Sequence, residues 1–374
     1  MTLPFKNEAF TNGEHVNSSK AKPEPKGTRA SMQSRAHPTT PAGRLESAHL
    51  LSDRGLLNEA SAELTELIKS SHNDWMTLAQ ARCLLARVRA MEGHFTQSLA
   101  AIESYESPDA RRGLDSQTDI QLRVQLGLAF NYTGEFPKAI AFLNGALRDT
   151  PETGADSDRG AIYEALARVY RTINEHGIAR DHSRKALEHY RRTGEWRGLA
   201  ETNAGLAALE MFEGRYEASL KHSEQAAKLV GDRHAPFLLG KIYGNMGGVC
   251  TFLRRPHDGI RYLEKAIRYY ESTEHKLNAA MGYNNLGVNL MLVGRWERAE
   301  EALKRALELA FGLDERSPQV AMILSSLGEL RSFRGELDEA RSLLEQAVKL
   351  ATAKGNKWDA GQALRSLTPR CSGR

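Results

Sequence analysis

The stretch "YNNLGVNLMLVGRWERAEEALKRALELA", Tyr283 to Ala310, returns at intervals of about 40 residues along almost the whole chain, and a period of that length leaves few folds open. Three columns of small residues carry the repeat. Gly294 is matched by Arg254, Gly214, Asn174, Gly134, Gly93 and Gly55 before it and by Gly335 after it. Gly287 is matched by Gly247, Ala207, Ala167, Gly127, Ala86, Ala48 and Gly328, so nothing larger than alanine occurs there. Ala299 is matched by Gly259, Ser219, Ala179, Ala139, Ser98, Ala60 and Ala340.

Each copy predicts a helical hairpin. Apolar residues recur at helical spacing on both sides of the turn, as in Leu286, Leu290 and Val293, then Ala299, Leu303, Ala306 and Leu307. The Gly287 column lets two helices approach closely, and the Gly294 column wants a residue that tolerates positive φ. Asn174 can adopt that conformation. Arg254, followed by Arg255 and Pro256, fits it poorly and predicts the least regular turn. One such hairpin cannot bury its apolar face, so neighbours must stack. The expected fold is an all-α solenoid of about eight helix-turn-helix units.

Tyr283, Leu286, Gly287, Gly294, Trp296, Ala299, Leu303 and Ala306 resemble the signature of the tetratricopeptide repeat (TPR). The longer spacing is similar to that of MalT-like bacterial regulators and of adaptors that bind extended peptides. The resemblance covers about Arg44 to Leu367. It implies a right-handed superhelix whose first helices line a concave groove, and it implies no particular ligand.

Residues 1–43 read as a separate, disordered arm. They hold Pro4, Pro23, Pro25, Pro38 and Pro41 with many Ser, Thr and Asn residues and no apolar period. Six basic residues against three acidic ones place most of the net charge of +4 in this arm. The solenoid, residues 44–367, is therefore close to neutral, which argues against a general nucleic-acid surface. No apolar core of about 7–15 residues suggests a signal peptide, and no run of about 20 suggests a membrane span. Cytoplasmic residence is the default expectation. Gly355 to Leu367 reads as the first helix of a ninth repeat, and Pro369 in the tail, residues 368–374, stops it. That unfinished hairpin predicts either a makeshift cap or a longer protein with a missing effector module.

Chemistry is harder to find. No GxSxG, HExxH, CxxC or GxGxxG is present. Gly240 and Lys241 resemble half of a phosphate loop, but Ile242 stands where a hydroxyl residue would hold magnesium. Cys83, Cys250 and Cys371 share no metal spacing. His176, His182 and His189 lack the i, i+4 spacing of helical ligands and read as solvated second-helix residues. No catalytic residue, cofactor or metal is expected.

Groove positions implied by the resemblance are Arg87, Arg168, Arg171, Lys241, Asn245, Asn284 and Asn285. Arginine and asparagine can grip a peptide's carboxylates and backbone without reading its sequence. Two residues before the turn column, the repeats carry Met91, Tyr132, Thr172, Phe212, Phe252, Leu292 and Phe333. That apolar ladder is either an exposed stripe on the groove, with Phe212, Phe252 and Leu292 as its anchors, or packing between hairpins. The expected function is non-enzymatic binding of a partner's peptide or helix in the groove. The alternative is the sensory half of a bacterial transcription regulator, of MalT-like or ATPase-activator type.

Overall fold

The computed structural model describes residues 40–71, 74–273, 275–312 and 318–353. The expected arm up to residue 39, the ninth-repeat helix and the tail lie outside them. Sixteen α-helices and two single 3-10 turns form among the described residues, with no strand. They pair as eight hairpins: α1 (Pro41–Arg54) with α2 (Leu57–Ser70), α3 (Trp75–Met91) with α4 (Phe95–Ala100), α5 (Ser116–Thr133) with α6 (Phe136–Asp149), and α7 (Asp156–Thr172) with α8 (His176–Thr193). The second half pairs α9 (Trp196–Phe212) with α10 (Tyr216–Val230), α11 (Pro236–Phe252) with α12 (Pro256–Ser272), α13 (Lys276–Leu292) with α14 (Trp296–Phe311), and α15 (Pro318–Phe333) with α16 (Leu337–Ala353). Helix α1 begins at Pro41, earlier than the repeat pattern suggests, because Thr40 caps it by accepting from the Gly43 N–H at 3.2 Å.

The turn column is uniform in backbone. Gly55, Gly93, Gly134, Asn174, Gly214, Arg254, Gly294 and Gly335 all have positive φ. In each hairpin the next residue's N–H reaches back five residues at 2.8–3.0 Å, as Arg215 does to Glu210 and Arg255 to Cys250, which is the Schellman closure of a helix. The turn at Arg254 is therefore as regular as the others, contrary to expectation. Arginine accepts a left-handed φ of 55° because the surrounding hydrogen bonds fix it.

Close approach explains the second column. A Cβ on Gly127, Gly287 or Gly328 would lie 2.6–2.7 Å from Leu143, Leu303 or Leu344, and one on Gly247 would strike Leu263. These leucines, each sixteen positions on, are almost fully buried. Where the column holds Ala167 or Ala207, the same register holds Ser183 or Ser223, so added volume on one helix is offset by lost volume on the other. Third-column serines add a bond: Ser98 Oγ donates to the Ala86 carbonyl at 2.7 Å and Ser219 Oγ to Ala207 at 2.6 Å.

Each second helix packs on the next first helix, and successive first helices also touch one another. Successive second helices make no comparable contact, so the array curves with its first helices inside. The second hairpin departs from the pattern. Helix α4 has only six residues, and Arg111 organises the following loop by donating to the carbonyls of Tyr105 and Glu106 and, at 2.8 Å, to Asp119.

Candidate functional site

Four consecutive first helices, α5, α7, α9 and α11, line a half-open cavity of about 430 Å³ on the inner face. Helix α7 supplies Glu164, Arg168, Arg171 and Thr172, one face at helical spacing. Helix α9 contributes Glu201 and the small residues Ala204, Gly205 and Ala208, which leave the space open. Helix α11 adds Lys241 and Asn245, and α5 adds Asn131 and Tyr132.

The charges are only partly matched. Arg168 donates to Glu164 at 2.7 Å and to the Tyr132 hydroxyl at 3.0 Å, while its buried Nε has no partner. Arg171 crosses to α9 and donates to the Gly205 carbonyl at 3.2 Å, a contact that the missing side chain permits. Burial would raise the Glu164 carboxyl, but Arg168, backed by Arg171 and Lys241, holds it below the ordinary carboxylate range. Burial, then repulsion from Arg168, pushes Lys241 down to about 8. Its ammonium lies 6.0 Å from the Phe237 ring centre, and no carboxylate among the described residues forms an ion pair with it. Three cations against Glu164 and Glu201 leave the cavity short of negative charge.

Of the expected groove residues, Arg168, Arg171, Lys241 and Asn245 come together here. Arg87 lies on α3, with its Nε buried and unpartnered. Asn284 and Asn285 lie on α13, where Asn284 is buried and donates to Asn285 Oδ1 at 3.4 Å. Glu164, Glu201 and the small face of α9 were missed by sequence reasoning. Their traces were the i, i+4 spacing of Glu164 to Arg168 and the 40-residue step from Glu201 to Lys241.

The ladder is exposed. Phe212 is 67% accessible, Phe252 57% and Leu292 36%. Its other members join the cavity, through Tyr132 and Thr172, or rest on the preceding hairpin. Tyr132 stacks on Phe95 at 4.9 Å, Phe252 on Tyr216 at 4.8 Å and Phe333 on Trp296 at 6.0 Å.

The remaining reactive side chains are built into packing. Burial raises the Cys83 thiol to about 12 and Cys250 to about 11, which suppresses the thiolate. His182 is not simply solvated: its ring lies between Tyr163 and Tyr170, at 5.7 and 5.3 Å. His189 pairs with Asp156 at 2.6 Å. No cluster of potential metal ligands and no helix long and apolar enough to cross a membrane occurs among the described residues.

Residues 118–192, 238–310 and 278–353 match the Tetratricopeptide repeat family, over more than half of the chain. The chain belongs to the tetratricopeptide repeat family. This TPR solenoid is 22% identical over 270 residues to kinesin light chain-related protein 1 of Arabidopsis thaliana, covering 70% of the chain and 44% of that relative. It thus spans less than half the length of the curated relative it matches. Among solved structures it is similar to a Rap protein complexed with Competence and Sporulation Factor, with TM-score 0.56 and 17% identity over 87% of this chain and 96% of that one. It is also similar to a Signal Transduction ATPase with Numerous Domains from Pyrococcus horikoshii that carries a tetratricopeptide repeat sensor, with TM-score 0.60, 15% identity and coverage of 88% and 52%.

Proposed function

We propose that this TPR solenoid is a non-enzymatic, cytoplasmic interaction module that holds an extended segment of a partner protein against its first helices. A carboxylate of that segment sits on Lys241 and Arg171. The observation that carries this reading is the desolvated ammonium of Lys241, facing a cavity with more cations than carboxylates. An incoming carboxylate offsets the hydration that burial has removed from the ammonium, in surroundings where the attraction is little screened. Asn245 offers a further donor, and Arg87 and Asn285 extend the polar surface along neighbouring first helices, with Asn284 buried beside Asn285. Phe212, Phe252 and Leu292 provide apolar anchor points on the adjoining stripe.

Tagged chain is used to capture partners from lysate of the source cells, and the captured protein is titrated against Lys241→Ala and against the double variant Phe212→Ser with Phe252→Ser. Both variants are expected to weaken binding, by about 2 kcal/mol where an anchor becomes fully buried on association. The ladder variant should change stability by about 0.5 kcal/mol per exposed site, with somewhat more at Phe252 for its stack on Tyr216. Carboxylate binding needs protonated Lys241, so affinity should fall as pH rises through about 8. Unchanged affinity in Lys241→Ala would remove the cavity from the interface.

The second reading, a sensory half of a larger regulator, draws on the likeness to the ATPase with a TPR sensor, of which the chain matches 52%. Extending the reading frame beyond Arg374 tests it, since the reading requires an effector domain in the same chain.

A further inference from the structure

The first two hairpins touch the fifth, sixth and seventh across the inside of the curve. Asp53, at the end of α1, pairs with Arg197 at the start of α9 at 3.2 Å. The neighbouring turn residue Gly55 is seated so tightly on Thr273, just after α12, that a Cβ there would overlap the threonine side chain. The Met91 backbone, at the end of α3, lies close enough to the ring of His275, which precedes α13, to favour its protonated form. Two comparisons mark these contacts as distinct from ordinary repeat packing. The same Cβ on Gly93, Gly134, Gly214, Gly294 or Gly335 would meet nothing within 4 Å. Thr273 and His275 are 0% and 4% accessible, whereas the loops at 151–154 and 231–234 between other hairpins are exposed.

Nearest-neighbour stacking requires no such contacts. They join the first two hairpins to later ones, and the cavity-lining helices α5, α7, α9 and α11 fall, in chain order, between the first hairpin and the seat at Thr273 and His275. The seat is linked to Lys241 through one ring. His275 stacks on Phe237 at 3.9 Å, and Phe237 is the ring that Lys241 faces.

We propose that the turn of the first hairpin is a latch, which closes the solenoid on itself through Arg197, Thr273 and His275 and gates entry to the Lys241 cavity. A segment bound in the cavity enters when the latch lifts, and contact with Lys241 is felt at the seat through Phe237. The consequence for binding rests on the reading of the groove given above. The closure itself is measured without any partner, so the two can fail separately.

Gly55→Ala and Gly134→Ala are compared with the natural chain. Both place alanine at a positive φ, 79° and 86°, and so carry the same backbone strain, but only the first adds an atom to the seat. Small-angle scattering should show a larger radius of gyration for Gly55→Ala alone. Acetic anhydride should acylate Lys241, read by mass spectrometry, several-fold faster in that variant than in Gly134→Ala, because reaction follows the open population. Asp53→Arg, which sets two guanidinium groups against each other, should open the latch, and Asp53→Arg with Arg197→Asp should close it again. That pair decides the matter if Gly55→Ala does not fold. Equal scattering of the folded Gly55→Ala and Gly134→Ala chains, or of Asp53→Arg and the reversed pair, would overturn the latch. Expansion without faster acylation of Lys241 would overturn the gate.

Discussion

Arg254 holds a φ of 55° in a turn that glycine occupies in six of the other seven hairpins. A left-handed conformation costs a residue with a Cβ about 1–2 kcal/mol, and Arg254 keeps it because Arg255 still closes onto Cys250 at 2.9 Å. His275 shows the same dominance of surroundings over residue type, in its titration. Burial first, and Lys241 second, push its ring down to about 4, while the Met91 backbone opposes them. Its Nε2 is buried without a partner, so a second ring proton would have no acceptor. The folded chain therefore keeps the neutral ring as the unfolded chain takes up a proton below the ordinary 6.5. Stability is fully present above that pH and falls as pH drops toward 4, by about 2 kcal/mol at pH 5. His49, His182 and His222 are also lowered by burial and act in the same direction. His275→Gln keeps a polar side chain of similar size and removes the titration, so melts recorded between pH 7 and pH 5 should show a shallower fall than the natural chain. An unchanged slope would mean that His275 is solvated in the folded state.

At the scale of the helices, two junctions carry the same pattern with reversed signs. Arg180 on α8 meets Glu210, at 3.3 Å, and Glu213 at the end of α9, and Arg215 completes the set. Three repeats later Glu300 on α14 meets Arg331 of α15 and Arg334 just after it, at 2.7 and 2.6 Å, with Glu336 in the place of Arg215. The register is identical, so each hairpin accepts its proper neighbour and repels the one with the opposite assignment. Arg180→Glu sets three carboxylates together where Glu210 is largely buried, at an expected cost of about 2–3 kcal/mol. Changing all four residues, Arg180→Glu, Glu210→Arg, Glu213→Arg and Arg215→Glu, recreates the α14 to α16 junction and should recover most of that loss. Urea unfolding of the single and fourfold variants checks this. A fourfold variant no more stable than Arg180→Glu would show that the pattern does not transfer between junctions.

At the scale of the whole molecule, a plain solenoid transmits strain to adjacent repeats and little further, whereas a closed one has a second route. Gly287→Leu drives a side chain into Leu303, with an overpacking cost of about 1–3 kcal/mol. Hydrogen exchange should quicken from about Gly240 to Leu330 and then at Asp53 to Leu57, which rest on Thr273, before it quickens in α5 and α6. Earlier loosening of α5 and α6 would contradict transmission through the seat. The sequence by itself determined the hairpin, its eightfold recurrence and the family, because small residues in fixed register report contacts within one repeat or between adjacent ones. The resemblance to the family further implied that Arg168, Arg171, Lys241 and Asn245, with Arg87, Asn284 and Asn285, face inward. Only the tertiary structure decided that the first four share a cavity while Arg87, Asn284 and Asn285 lie outside it, and that Phe212 and Phe252 are exposed. It alone showed that Gly55 meets Thr273. The curvature that brings such residues together accumulates from small rotations at every junction, and no single repeat encodes the sum.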